Sequence, residues 1–225
     1  MRRNVLLILV LLLSACSPLK KYESLPEVTA WEKDIRQFEE LDKKEAYPEN
    51  AVLFTGSSSI RLWTTLRRDM APYPVIQRGF GGSRLSDFVV YADRIVAPHP
   101  CSAIVIFIAN DITGSTNDKK PAEVASLFRY ALKTIRKTHP ETPLFWIEVT
   151  PTPSRWKVWQ QIKEANNLIK DICEKQENTY FISTSASFLN NDGLPEDGYF
   201  VSDKLHLNAD GYKVWTDVIK KEINK

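Results

Sequence analysis

What the chain lacks narrows it before any motif is read. Its three cysteines, Cys16, Cys101 and Cys173, show neither CxxC nor Cys/His ligand spacing, which argues against a zinc or thioredoxin-like site. Lys and Arg number 30 against 28 Asp and Glu, and no basic stripe gathers them. A nucleic acid or an anionic surface is therefore not the expected partner. There is no internal repeat, no low-complexity block and, beyond the N-terminus, no apolar run long enough for a membrane. The length suits one α/β domain with a full core.

The N-terminus itself reads Met1-Arg2-Arg3, an apolar run from Val5 to Leu13, then Leu13-Ser14-Ala15-Cys16. A basic start, a short apolar run and small residues form an export signal. Because it ends at Cys, this signal resembles the lipobox of bacterial lipoproteins, which implies cleavage before Cys16 and acylation of its thiol. The chain is then expected to divide into a signal peptide at 1–15, a linker at 16–28 containing Pro18, Lys20, Lys21 and Pro26, and a domain at 29–225. Losing Arg2 and Arg3 leaves 28 basic residues against 28 acidic ones, a near-neutral mature protein. The implied location is outside the cytoplasm, periplasmic or at the cell surface, with the membrane reached through the Cys16 lipid. An oxidising compartment permits a Cys101–Cys173 disulfide, but two buried thiols are the favoured expectation.

From residue 29 the pattern alternates. Thr29-Ala30-Trp31-Glu32 has the form of a capping box, after which Trp31, Ile35, Phe38 and Leu41 recur on one helical face. Five short apolar runs follow as candidate strands, at 51–55, 75–77, 103–109, 144–149 and 180–183. Helical stripes separate the later ones: Val124, Leu127, Phe128, Ala131, Leu132 and Ile135 behind Pro121, then Trp156, Trp159, Ile162, Leu168, Ile169 and Ile172. Asn208 is placed to cap a last helix carrying Val214, Trp215, Val218 and Ile219. Strands and helices in alternation imply a parallel sheet covered on both faces, with ligands bound beyond the carboxyl ends of the strands.

Four polar constellations stand at those ends. Gly56-Ser57-Ser58-Ser59-Ile60 places a serine where a strand turns into a helix; by itself this is equally an ordinary N-cap. Gly79-Phe80-Gly81-Gly82-Ser83 is not GxGxxG, since Arg84 holds the third position, so a dinucleotide site is not expected. A glycine-rich turn there can aim N–H groups at a developing oxyanion. Asn110, closing the most apolar strand, can add a side-chain amide, although Asn-Asp is also a common turn pair. Asp203 and His206, three residues apart, can share one side of a turn, so that the carboxylate holds the imidazole tautomer. His99 and His139 each precede a proline and read as loop residues.

In order and approximate spacing these four resemble the SGNH hydrolases, also called GDSL esterases, from Val52 to about Ile219. The resemblance implies a three-layer α/β/α sandwich of flavodoxin-like form with a five-stranded parallel sheet. It implies Ser58 as nucleophile, His206 as base and Asp203 as its acid, with an oxyanion hole from the Ser58 and Gly82 N–H groups and the Asn110 amide. Ser57 stands where the family has Asp, and Ile108 where it has Gly two places before Asn. The α/β-hydrolase elbow, Gly-x-Ser-x-Gly, is excluded by Ile60.

The chemistry implied is acyl transfer to water through an acyl-Ser58 intermediate, with no metal or organic cofactor. The expected partner is an ester-bearing small molecule or an acylated glycan, with no nucleic acid involved. Trp63, Arg155, Trp156, Tyr199 and Phe200 lie near the motifs, and the aromatic ones suit sugar stacking, an acyl slot or core packing. With no apolar lid, short acyl groups such as acetate on glycans are the favoured substrate. A non-catalytic glycan-binding module, a lipid acylhydrolase and an acyltransferase are the rival expectations.

Overall fold

The computed structural model describes residues 19–225. The expected signal peptide and the acylated Cys16 lie outside the described residues. The five expected strands are β1 (Val52–Gly56), β2 (Val75–Gly79), β3 (Ala103–Phe107), β4 (Leu144–Ile147) and β5 (Thr179–Ile182). They form one parallel sheet in the order β2-β1-β3-β4-β5.

Alternation along the strands divides the core in two. Leu53, Ile76, Ile104, Ile106, Leu144 and Trp146 face one side, where α6 (Leu85–Val96), α7 (Pro121–Ile135) and α8 (Trp159–Cys173) cover them. Val52, Phe54, Val105, Phe107, Phe145 and Ile147 face the other, against α4 (Ser58–Arg61), α5 (Leu66–Asp69) and α9 (Ala209–Ile223). Each large apolar side chain buried in this way contributes roughly 1.5–3 kcal/mol. The result is the three-layer α/β/α sandwich expected from the sequence.

Helix starts follow local chemistry where it is available. Pro121 occupies the first turn of α7, where the missing N–H costs nothing. The Asn208 side chain accepts from Asp210 and Gly211 N–H at 3.0 and 3.1 Å and starts α9 as expected. The capping box at Thr29 does not form. Its hydroxyl donates instead to Pro26 O and ends the short helix α2 (Pro26–Thr29), while α3 (Glu32–Asp42) begins without a side-chain cap. On α3, Ile35 is fully buried, Trp31 and Phe38 are partly so, and Leu41 is exposed.

Much of the stretch expected to be linker belongs to the folded body. Residues 20–23 form α1 (Lys20–Glu23) and residues 26–29 form α2; Tyr22 and Val28 are buried against α6. The Tyr91 hydroxyl fixes this segment by donating to Val28 O at 3.1 Å. Helices this short have no stability of their own, so tertiary contact, not propensity, makes them. Both described cysteines are free; Cys173 is buried and Cys101 half-buried. Burial pushes their thiols up to about 12 and about 11, respectively. Among the described residues, no helix is long and apolar enough to cross a membrane.

Candidate active site

The parts of the site stand beyond the carboxyl ends of the strands. β1 leaves the sheet through Gly56 at φ +126°, where a Cβ would overlap the Phe107 carbonyl oxygen, so only glycine makes this turn. Ser57 N–H then donates to that carbonyl at 2.8 Å. Ser58 is consequently the first residue of α4, with its own N–H lacking an intrahelical acceptor.

Beyond β5 the chain returns the other two members. Asp203 and His206 sit in a turn, with Lys204 at φ +58° and Val201 N–H bonded to His206 O at 2.9 Å. Asp203 Oδ1 accepts the N–H groups of Leu205 and His206, both at 2.9 Å, and Oδ2 lies 2.6 Å from His206 Nδ1. His206 Nε2 is 2.9 Å from Ser58 Oγ. A carboxylate at Nδ1 keeps the proton there and turns the Nε2 lone pair toward the serine hydroxyl. Burial pushes the Asp203 carboxyl up, but bonds from the His206 ring and from the His206 and Leu205 N–H groups outweigh it and set it below the usual range. Asp203 therefore remains an anion whenever the imidazole needs one.

Gly82 and Asn110 meet across the mouths of β2 and β3. A Cβ on Gly82 would lie 3.8 Å from Asn110 Nδ2. That nitrogen donates to Ser83 O at 3.1 Å, which leaves its second hydrogen for the cleft that Asn110 lines with Ser58 and His206. The glycine loop is held from behind. Trp31 packs edge-on against Phe80 and closes over Gly81, and its indole N–H donates to Asp87 Oδ2 at 3.2 Å. The same oxygen accepts Arg84 N–H at 2.8 Å, while Asp111 Oδ2 accepts Leu85 N–H at 2.8 Å. Burial pushes the Asp111 carboxyl up to about 6, against the pull of the Leu85 N–H and Lys119. Two acids thus pin the start of α6, and with it the Gly82 turn.

Ser58, His206 and Asn110 line one cleft, walled by Phe107, Ala109, Val149, Thr150, Phe200, Leu207 and Trp215; Asp203 stands behind it on His206 Nδ1, and Gly82 lies beside Asn110. Ser57, where the family has Asp, is buried and its hydroxyl has no hydrogen-bond partner. Ile108 is buried just past the end of β3, and Asn110 still reaches the cleft beyond it. The flanking aromatics divide: Trp63 is core, stacked on Tyr212, and Trp156 stacks on Trp159, whereas Phe200 lines the cleft. His99 and His139 lie in loops as expected but are buried, with His139 Nε2 2.8 Å from His99 O. Among the described residues no cluster of three or more His, Cys, Asp or Glu could hold a metal ion.

Sequence reasoning did not find the supports. Trp31 and Asp111 act on residues far away in the chain, which no local spacing announces, whereas Asp87 also bonds Arg84 N–H three residues back, a local helix-start signal the motifs overshadow. Arg155 was singled out only for its nearness to the motifs.

This frame, a five-stranded parallel sheet with its polar groups beyond the carboxyl ends, is that of the SGNH hydrolases. The chain belongs to the GDSL-like lipase/acylhydrolase family, which matches residues 51–214, and is an enzyme acting on ester bonds. Among solved structures, a GDSL-like lipase from Bacteroides thetaiotaomicron is 17% identical with a TM-score of 0.71, covering 84% of this chain and 97% of its own. A catalytic mutant of an acetylxylan esterase from Geobacillus stearothermophilus is 13% identical with a TM-score of 0.62, covering 77% and 94%. A carbohydrate esterase family 3 protein from Talaromyces cellulolyticus is 13% identical with a TM-score of 0.60, covering 78% and 96%. At these identities the likeness is one of fold. No functionally curated protein matches the sequence.

Proposed function

We propose that the protein is a serine esterase that removes short acyl groups from glycans through an acyl-Ser58 intermediate. The observation that carries this reading is the unbroken hydrogen-bond chain from Ser58 Oγ through His206 to Asp203. Ser58 Oγ attacks the ester carbonyl carbon as its proton passes to His206 Nε2. The tetrahedral oxyanion accepts from the Ser58 and Gly82 N–H groups and from Asn110 Nδ2. Collapse breaks the bond to the leaving alkoxide, which takes the proton back from Nε2. Water then attacks the acyl carbon, gives its proton to the same nitrogen and frees the carboxylic acid with Ser58 restored. Asp203 stays ionised throughout and steadies the imidazolium.

Cleft size supports a short acyl group. The cleft beside Ser58 is narrow, with a cavity volume of about 20 Å³. Trp215, with its ring centroid 4.6 Å from that of Phe107, forms part of its wall. A short acyl group suits so narrow a cleft, and a long chain finds little room beside Ser58 to gain the roughly 0.8 kcal/mol per buried CH2. Acetylxylan as the substrate of the Geobacillus stearothermophilus enzyme agrees with this choice. On aryl esters of increasing length, acetyl and butyryl esters should be cleaved faster than octanoyl. A kcat/KM that rises with chain length would replace the glycan reading with a lipid substrate.

The anchor is part of the proposal. Cys16 is acylated after removal of residues 1–15 and holds the enzyme at a membrane outside the cytoplasm. Among the described residues the first helix, α1, already starts at Lys20, four residues after Cys16. Mass spectrometry of membrane-extracted protein should find an acylated N-terminal Cys16; an intact Met1 or an unmodified Cys16 would refute the anchor.

A further inference from the structure

Arg155 is a buried cation without a paired anion. It stands in the 3₁₀ turn after β4, Pro153–Val158, and is 8% exposed. Its guanidinium makes two bonds, Nη1 to Ala109 O at 2.5 Å and Nη2 to Asn110 Oδ1 at 2.6 Å. Among the described residues no carboxylate lies within ion-pair distance of it. Burial pulls the guanidinium pKa down, opposed at longer range by Asp118 and Asp111, but an arginine remains charged. Burying such a charge is costly unless something uses it.

We propose that Arg155 is a positioning residue that sets the Asn110 amide for oxyanion binding. An amide presents oxygen on one side and NH2 on the other, and a half-turn about its last bond exchanges them. Arginine only donates, so it demands the oxygen. Ser83 O only accepts, so it demands the nitrogen from the opposite side. Together they leave one arrangement, in which the remaining Nδ2 hydrogen faces the cleft. The bond to a cation also draws electron density from the amide, so that hydrogen becomes a stronger donor as negative charge develops on the substrate oxygen. Holding Ala109 O as well fixes the backbone that carries Asn110.

This assignment rests on the serine-esterase reading, and its test keeps the two apart. Arg155→Met and Arg155→Lys are made alone and in an Asn110→Ala background, with Ser58→Ala in the same acetyl-ester assay. Melting curves verify folding. Arg155→Met should lower kcat by roughly 10-fold to 100-fold, the scale of a displaced reacting group, with a much smaller change in KM. Arg155→Lys, which keeps a cation but has one nitrogen in place of two, should recover part of the loss. In the Asn110→Ala background either change should cost almost nothing more, because its effect passes through an amide already gone. Losses that multiply in the double mutant, or an unchanged kcat in a folded single mutant, would overturn the assignment. If Arg155→Met does not fold, Arg155→Lys carries the same cycle. A Ser58→Ala protein that stays active would overturn the esterase reading itself; an inactive one with multiplying Arg155 losses overturns only this inference.

Discussion

Ser58→Ala and His206→Ala should each remove nearly all esterase activity, and the double mutant should be hardly worse than either. The reason is in the geometry: it offers the serine proton one path, from Ser58 Oγ to His206 Nε2 over 2.9 Å. Removing either end stops the transfer, so the second loss finds nothing left to remove. Comparable triads lose on the order of a million-fold in kcat on such changes. Asp203→Ala should be milder, because the imidazole persists but loses the 2.6 Å bond at Nδ1 that selects its tautomer. Ser57→Ala and Ser59→Ala are the controls. The Ser57 hydroxyl is buried without a hydrogen-bond partner, so its removal should leave both activity and stability nearly unchanged. Activity that survives in Ser58→Ala and vanishes in Ser57→Ala would place the nucleophile one residue earlier. Wild-type rates in all three triad mutants would leave the family's chemistry to other residues and favour a glycan-binding role for this cleft.

Asn110→Ala should lower kcat by about 100-fold to 1000-fold with little change in KM. The amide is already aimed by Arg155 and Ser83, so it pays no reorganisation when charge appears on the substrate oxygen. A donor that strengthens only as the oxyanion forms acts on the transition state and leaves ground-state binding nearly untouched. Steady-state kinetics on an acetyl ester separate the two parameters. An unchanged kcat would hand the oxyanion to the backbone N–H groups of Ser58 and Gly82.

Which parts were legible beforehand follows from how local each interaction is. Asp203 and His206 lie three residues apart and declare their pairing in the sequence. Asn110 ends a conspicuously apolar strand, and the glycine turn follows another. The end of β3 was placed too late because Ile108 and Ala109 continue the apolar run; the ladder stops where Phe107 pairs with Gly56 and β1 turns away. Helices α1 and α2 were hidden in a stretch with the composition of a linker. Their order comes from burial of Tyr22 and Val28 on α6, more than 50 residues along the chain, and no local period encodes that. Arg155 was hidden in the same way, since its partners are 45 and 46 residues distant. His99 and His139 read as loop residues correctly, but their burial depends on the packing of two turns that are far apart in sequence.

The most direct measurement of the central claim is to trap the acyl-enzyme. The protein is mixed with excess aryl acetate, quenched in acid during turnover and digested, and the acetylated peptide is located by mass spectrometry. The account predicts one acetyl group on Ser58, absent from Ser58→Ala and strongly reduced in His206→Ala. Acetyl on Ser57 or Ser59, or turnover in Ser58→Ala at the wild-type rate with no adduct on residue 58, would contradict it.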